Sequence, residues 1–169
     1  PLPIQYVRYL GNMLRLDFGY SLAYFPTTVS QLIAQALPWT MGLLLIAVTI
    51  TFLIGNFLGA ILAWTKTPRL LRYLIPAAMA FTSVPSILAA LFLLYVFAFL
   101  LNWFPMLGSY ELGVTPGLNL EFIGSVIKHG TLPALSIILV SFGYWALGMR
   151  GMMITIEGED YMHLARAKG

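Results

Sequence analysis

From Trp39 to Trp64 the chain runs without one charged side chain, and a helix needs only about 20 such residues to cross the hydrocarbon core of a bilayer. This stretch is long enough to span with tilt. The indoles of Trp39 and Trp64 stand at its two ends, the placement expected of rings that are wet on one side and apolar on the other. A second block, from about Leu74 to Leu101, is interrupted by polar side chains only at Thr82, Ser83, Ser86 and Tyr95. It too is long enough to span. The third and shortest runs from Leu132 to Met149, with Thr131 expected as its N-cap, Pro133 close to the first turn, and Arg150 directly after it.

These blocks make the chain an integral membrane protein, and composition agrees: 60% hydrophobic residues, 9% charged, and a mean hydropathy of +0.87 exclude a soluble globular domain. With no Cys, neither a disulfide framework nor a thiolate metal site is available. His129 and His163 lie outside the blocks and too far apart to read as a ligand pair. A net charge of +3, confined to loops, gives no nucleic-acid surface and instead orients the chain. Pro1 is not an initiator residue, no basic-then-apolar signal precedes it, and Gly169 closes a helix without a following domain, so the chain is expected to be an internal fragment.

Lys66, Arg69 and Arg72 lie between the first two blocks with no acid among them, which marks that loop as cytosolic. The connection from Asn102 to Gly130 holds Lys128 against Glu111 and Glu121 and is expected outside. Parity puts the tail after Arg150 in the cytosol, where Arg150, Arg166 and Lys168 obey the same rule. The segment from Pro1 to Leu37, with Arg8 and Arg15, is then external, a mild violation that longer translocated segments tolerate. Within it, Leu32, Ile33, Ala36 and Leu37 share a face, which predicts a short amphipathic helix from Ser30 to Leu37, ended by Pro38. Asn119 is expected to cap a second one, with Phe122, Ile123, Val126 and Ile127 on one face and Gly130 as its stop.

Ala47, Thr51, Gly55, Gly59 and Ala63 recur at four-residue spacing down the first block. Such a small-residue stripe lets two helices approach closely, and it is read as packing rather than substrate contact. Ser83-Val84-Pro85-Ser86 carries two readings. Pro85 removes a backbone bond and frees a carbonyl, which makes either a plain kink or a kink facing a cavity on a translocation path, lined by Ser83, Pro85 and Ser86.

No Asp, Glu, Lys, Arg or His lies within any block, so these spans lack the buried ionisable group that ion-coupled carriers need. No paired carboxylates, nucleophile with base, metal-ligand spacing or phosphate loop is present either. The chain is not expected to be an enzyme or to hold a cofactor, and energy for any transport must come from a partner. The tail offers a docking element for one. Glu159 and Asp160 open it, Arg166 and Lys168 close it, and Gly169 stands at a C-cap position, so its charges suit a short helix's dipole. Tyr161, Leu164, Ala165 and Lys168 form a narrow ridge able to lodge in a groove; a solvated loop is the alternative.

Several stretches together resemble the permease subunits of binding-protein-dependent ABC importers of the dipeptide/oligopeptide type. They are Tyr9-Leu10-Gly11-Asn12, Leu16-Asp17-Phe18-Gly19-Tyr20-Ser21, Leu37-Pro38-Trp39-Thr40, Asn102-Trp103-Phe104-Pro105, Leu132-Pro133-Ala134-Leu135 and Arg150. The tail from Gly158-Glu159-Asp160-Tyr161 through Ala165-Arg166-Ala167-Lys168-Gly169 looks like the first half of the family's cytosolic EAA loop. Counting back from Gly169, His163 and Leu164 stand where that motif has its Glu and first Ala, a departure common among peptide-type members; Ala165 keeps the second Ala.

The resemblance implies an all-α membrane protein of the type I importer permease (MetI-like) fold, with about three transmembrane helices here, one span before Pro1 and more after Gly169. The blocks and basic residues give residues 1–38 as an external segment and 39–149 as the membrane core with spans near 39–64, 74–101 and 132–149, and the resemblance gives 150–169 as the coupling segment. Its partners would be ABC ATPase subunits, a second permease subunit, an extracytoplasmic solute-binding protein and membrane lipid. The ATPase-docking residues would be Glu159, Asp160, Tyr161, Ala165, Arg166, Ala167, Lys168 and Gly169. The expected role is ATP-driven uptake of peptides or similar solutes across the cytoplasmic membrane by alternating access. The other class of reading is a non-transporting membrane scaffold whose tail holds a cytosolic protein.

Overall fold

The computed structural model describes residues 2–64 and 67–168, apart from the side chains of residues 163, 165 and 166. They form helices and no strand; one isolated antiparallel bridge joins Tyr20 and Thr28. The chain divides into two compact units, Pro1–Gly42 and Leu43–Gly169.

In the first unit, helix α1 (Leu2–Leu14) buries none of its residues. The chain then turns sharply. The Leu16 backbone has φ of 61°, the Asp17 carboxylate accepts from the Gly19 amide at 3.1 Å, and Gly19 takes φ of 70°, which costs a glycine little. The returning chain is held by the Val29 amide donating to the Gly19 carbonyl at 3.0 Å, and by the Ser30 hydroxyl donating to the Leu16 carbonyl at 3.4 Å. Helix α2 (Val29–Ala63) starts on a reciprocal cap: the Gln31 amide donates to Thr28 Oγ1 at 3.3 Å, and the Thr28 amide to Gln31 Oε1 at 3.1 Å.

This start corrects the expected separate helix from Ser30 to Leu37. Pro38 lies inside α2 and does not end it. The ring withholds one N–H from the carbonyl four residues back, and a long apolar helix absorbs that single loss. At about 1.5 Å per residue, the 35 residues of α2 reach about 52 Å.

In the second unit the longest element is α6 (Leu120–Glu157), 38 residues or about 57 Å. Asn119 caps it as expected, its Oδ1 accepting from the Phe122 amide at 2.7 Å. Gly130 does not stop it and Thr131 does not cap a new helix. Thr131 instead donates its hydroxyl back to the Ile127 carbonyl at 2.6 Å, and Pro133 becomes an interior residue. The expected external helix and third block are therefore one continuous element.

The small stripe of α2 meets α6. Ala47, Thr51, Gly55 and Gly59 are buried, with Leu62 closing the row and Ala63 half-buried. A Cβ on Gly55 would lie 2.5 Å from the Trp145 Cβ and 2.9 Å from the Phe142 carbonyl oxygen; one on Gly59 would strike the Ala146 carbonyl and come within 2.8 Å of the Met149 Cβ. Residue numbers rise together along both helices, so in this contact they run parallel. The Phe52 ring sits edge-on to Trp145, centroids 4.9 Å apart.

The second block is not one straight helix. It consists of α3 (Arg69–Arg72), α4 (Leu74–Thr82), α5 (Ser86–Leu93) and a π-helical stretch, Leu94–Leu100. The two halves, 69–82 and 86–100, meet at 99°. That is a break, larger than the plain proline kink among the readings. Against α6 the block runs antiparallel: Ala78 and Thr82 lie at Gly143, while Leu93 and Ala98 form a core with Leu132, flanked by Phe104 and Leu139. The π-helical stretch ends where the Trp103 and Phe104 amides both donate to the Phe97 carbonyl, at 2.9 and 3.4 Å, with Asn102 at φ of 53°. The loop beyond continues along α6, with the Glu111 amide donating to Ser125 Oγ at 2.7 Å and Tyr110 edge-on to Phe122. By length and composition α2 and α6 can each cross a membrane, and the bent block makes a third candidate if counted as one span.

Candidate coupling and translocation sites

The tail forms a helix. α6 closes at Glu157, where the Gly158 amide donates to the Thr155 carbonyl at 3.1 Å and the Glu159 amide to Ile156 at 3.2 Å, tightening the last turn. After a two-residue linker α7 (Asp160–Ala167) begins, with Asp160 in its first turn and the Met162 amide donating to the Glu159 carbonyl at 3.0 Å. An acid there favours the helix by its dipole. At the far end the Lys168 amide still donates to the Leu164 carbonyl at 3.2 Å.

Tyr161 and Leu164 are 58% and 57% exposed, three residues apart and so on one face of α7, and Ala167 and Lys168 are exposed near them. The short linker at Gly158-Glu159 thus sets a small helix with bare apolar side chains at the end of a long rigid one. Of the expected docking residues, Glu159, Asp160, Tyr161, Ala167 and Lys168 lie together on or beside α7. The side chains of Ala165 and Arg166, and Gly169 as a whole, lie outside the described residues.

The second site is the break. Ser83, Pro85 and Ser86 are all exposed. α4 ends because Pro85 has no N–H to return, and α5 starts afresh with Pro85 at its N-cap position and no side-chain cap. The carbonyls of the last turn of α4 therefore need outside donors. The Thr82 and Ser83 hydroxyls both bend back to the Met79 carbonyl, at 2.8 and 3.1 Å. The Thr82 carbonyl receives the Tyr144 hydroxyl from α6 at 3.4 Å. One glycine makes that reach practicable: a Cβ on Gly143 would stand 2.6 Å from Thr82 Cγ2 and 2.7 Å from the Ala78 carbonyl oxygen.

Tyr144 escapes the sequence reading. Its one available signal is a phenol in mid-block, where a hydroxyl must find a partner. The π-helical stretch has no sequence signal at all. Among the described residues no three His, Asp, Glu or Cys side chains come together in a group fit for a metal.

Residues 55–169 match the family model described as "Binding-protein-dependent transport system inner membrane component". The whole chain aligns with a Brucella suis protein named as a peptide permease, 37% identical over 172 residues that make up 51% of that protein. It aligns likewise with a peptide transport system permease protein of Brucella abortus, 32% identical over 169 residues and 51% of its length. The oligopeptide transport system permease protein AppB of Bacillus subtilis is 32% identical over 175 residues, 52% of its length. The chain thus spans about half the length of these relatives. With its apolar helices and a match over more than half of its residues, the chain belongs to the inner-membrane components of binding-protein-dependent transport systems.

Proposed function

We propose that the protein is a permease subunit that carries peptides or similar small solutes inward across the cytoplasmic membrane, driven by ATP hydrolysis in a separate ABC ATPase subunit. Peptide transport is suggested by the names of the relatives from Brucella and Bacillus. A second permease subunit completes the path, and an extracytoplasmic solute-binding protein delivers the cargo. The observation that carries the coupling is α7: a short, acid-first helix with Tyr161 and Leu164 exposed, joined to the end of α6 by a two-residue linker. A force on α7 is transmitted to α6, and through Gly143 and Gly55 to both neighbouring elements.

Three crossings follow from the direction of the helices. If α2 and α6 both span and run parallel, the chain between them must return once, and the bent block is the apolar segment available for it. Arg69 and Arg72, in α3 just past the C-terminal end of α2, favour the cytosolic side for that end and for α7 with it. Broken backbone at membrane depth is tolerated only inside protein or along a water-filled cavity, so the exposed Ser83, Pro85 and Ser86 are assigned to the path.

The test is Tyr161→Glu in the full-length complex. We expect substrate-stimulated ATP hydrolysis and uptake to be lost while the subunit still inserts and assembles. Survival of both activities with the altered subunit at normal level removes α7 from coupling and leaves the scaffold reading in its place.

A further inference from the structure

The proposed coupling and path leave one prominent feature unused. α1 is amphipathic and buries none of its residues. Its polar side chains Gln5, Arg8 and Asn12 fall at spacings of three and four on one narrow stripe, and Arg15 follows just past the end; the remaining circumference is apolar or aromatic. Leu2 is 83% exposed, Val7 68% and Leu14 88%. A water-facing helix would not carry so wide an apolar face, and the two basic groups are accompanied by no acid within the helix.

The position of α1 narrows what can cover that face. Its end is tied to the start of α2 through the Leu16–Ser30 and Gly19–Val29 bonds. Val29 opens the same helix whose apolar run begins at Trp39, so where α2 spans, these bonds hold the end of α1 close to the external end of that span. We infer that α1 lies in the plane of the membrane interface, its apolar face sunk in the acyl boundary and Arg8 and Arg15 on anionic lipid phosphates.

This resolves the two arginines that charge asymmetry alone leaves on the wrong side. A phosphate layer holds them there independently of the rule that orients loops. The inference stands apart from coupling, since it needs neither α7 nor an ATPase.

The absence of Cys from this chain makes single-site labelling direct. The full-length permease, with any cysteine elsewhere in it replaced, is reconstituted in phosphatidylcholine/phosphatidylglycerol vesicles and spin-labelled at Leu10→Cys or Asn12→Cys. We expect the Leu10 label to collide preferentially with oxygen, which concentrates in lipid, and the Asn12 label with a water-soluble nickel chelate. A Leu10 label open to the chelate overturns the inference in favour of solvent. One shielded from both reagents overturns it in favour of a protein neighbour, such as a segment outside this chain. Arg8→Glu with Arg15→Glu should shift the Leu10 label toward water in vesicles with phosphatidylglycerol and not in phosphatidylcholine alone; an equal shift in both, or none in either, overturns the part given to anionic lipid.

Discussion

A Cβ added to Gly143 would stand 2.7 Å from the carbonyl oxygen of Ala78, so α4 and α6 touch backbone to backbone at the level of the break. The Tyr144 hydroxyl beside it then reaches the Thr82 carbonyl. α6 makes a second contact of this kind with α2, where Gly55 and Gly59 lie against Trp145, Ala146 and Met149. Van der Waals contact is the main attraction between helices in lipid, and small residues on both sides permit it. One long helix thereby holds an unbroken helix at one contact and a broken one at another.

Gly143→Val forces a β-carbon and two methyl groups against a backbone carbonyl that cannot rotate away. Overpacking of this kind costs about 1–3 kcal/mol, and the break must open to relieve it. We expect a lower melting temperature of the purified complex and reduced uptake. Unchanged melting would mean that α4 does not rest on α6 at this point.

Thr51 offers the opposite case. It is 1% exposed in the α2 stripe, and its hydroxyl finds no hydrogen-bond partner among the described residues. A buried unsatisfied hydroxyl costs about 1–3 kcal/mol, and valine has nearly its shape. Thr51→Val should therefore raise thermal stability of the full-length complex without altering assembly. A fall in stability would reveal a partner for that hydroxyl in a part of the complex outside this chain.

The stripe from Ala47 to Gly59 was legible because close helix contact demands small side chains at a fixed period, and Asn119 because an N-cap is chemistry local to four residues. The Thr28-Val29-Ser30-Gln31 capping box is equally local chemistry. What local rules mispredicted were Pro38, Gly130 and Pro133. Each disfavours a helix interior in water, yet in these long apolar helices the bond a proline withholds and the freedom a glycine adds are both absorbed and the helix continues. Pro85 signals the break locally, though not its 99° angle, whereas the Tyr144 contact comes from α6, more than 50 residues away, and no local pattern encodes it.

Tyr144→Phe separates architecture from passage. A single hydrogen bond between membrane helices is worth about 0.6 kcal/mol, so thermal stability should barely move. The Thr82 carbonyl would nevertheless lose its donor at the break assigned to the path. We expect a slower initial rate of substrate uptake at unchanged complex yield. Uptake at the normal rate would separate the break from the path.

The parallel packing of α2 and α6 makes topology testable with two labels. Leu70, in α3 just beyond the end of α2, is 78% exposed, whereas neighbouring Thr67 is buried and donates its hydroxyl to the Ile61 carbonyl, which makes it a poor labelling position. Ser109 is exposed in the loop that leads into α6. If the bent block crosses once, Leu70→Cys and Ser109→Cys lie on opposite sides. An impermeant thiol reagent applied outside intact cells should then modify Ser109→Cys and spare Leu70→Cys, in keeping with the basic residues of α3. Modification of Leu70→Cys alone would invert the orientation and put α7 outside, away from any ATPase. Modification of both would make the block re-entrant, and α2 and α6 could not then both span in parallel, so the contact of Gly55 and Gly59 with α6 would itself be overturned.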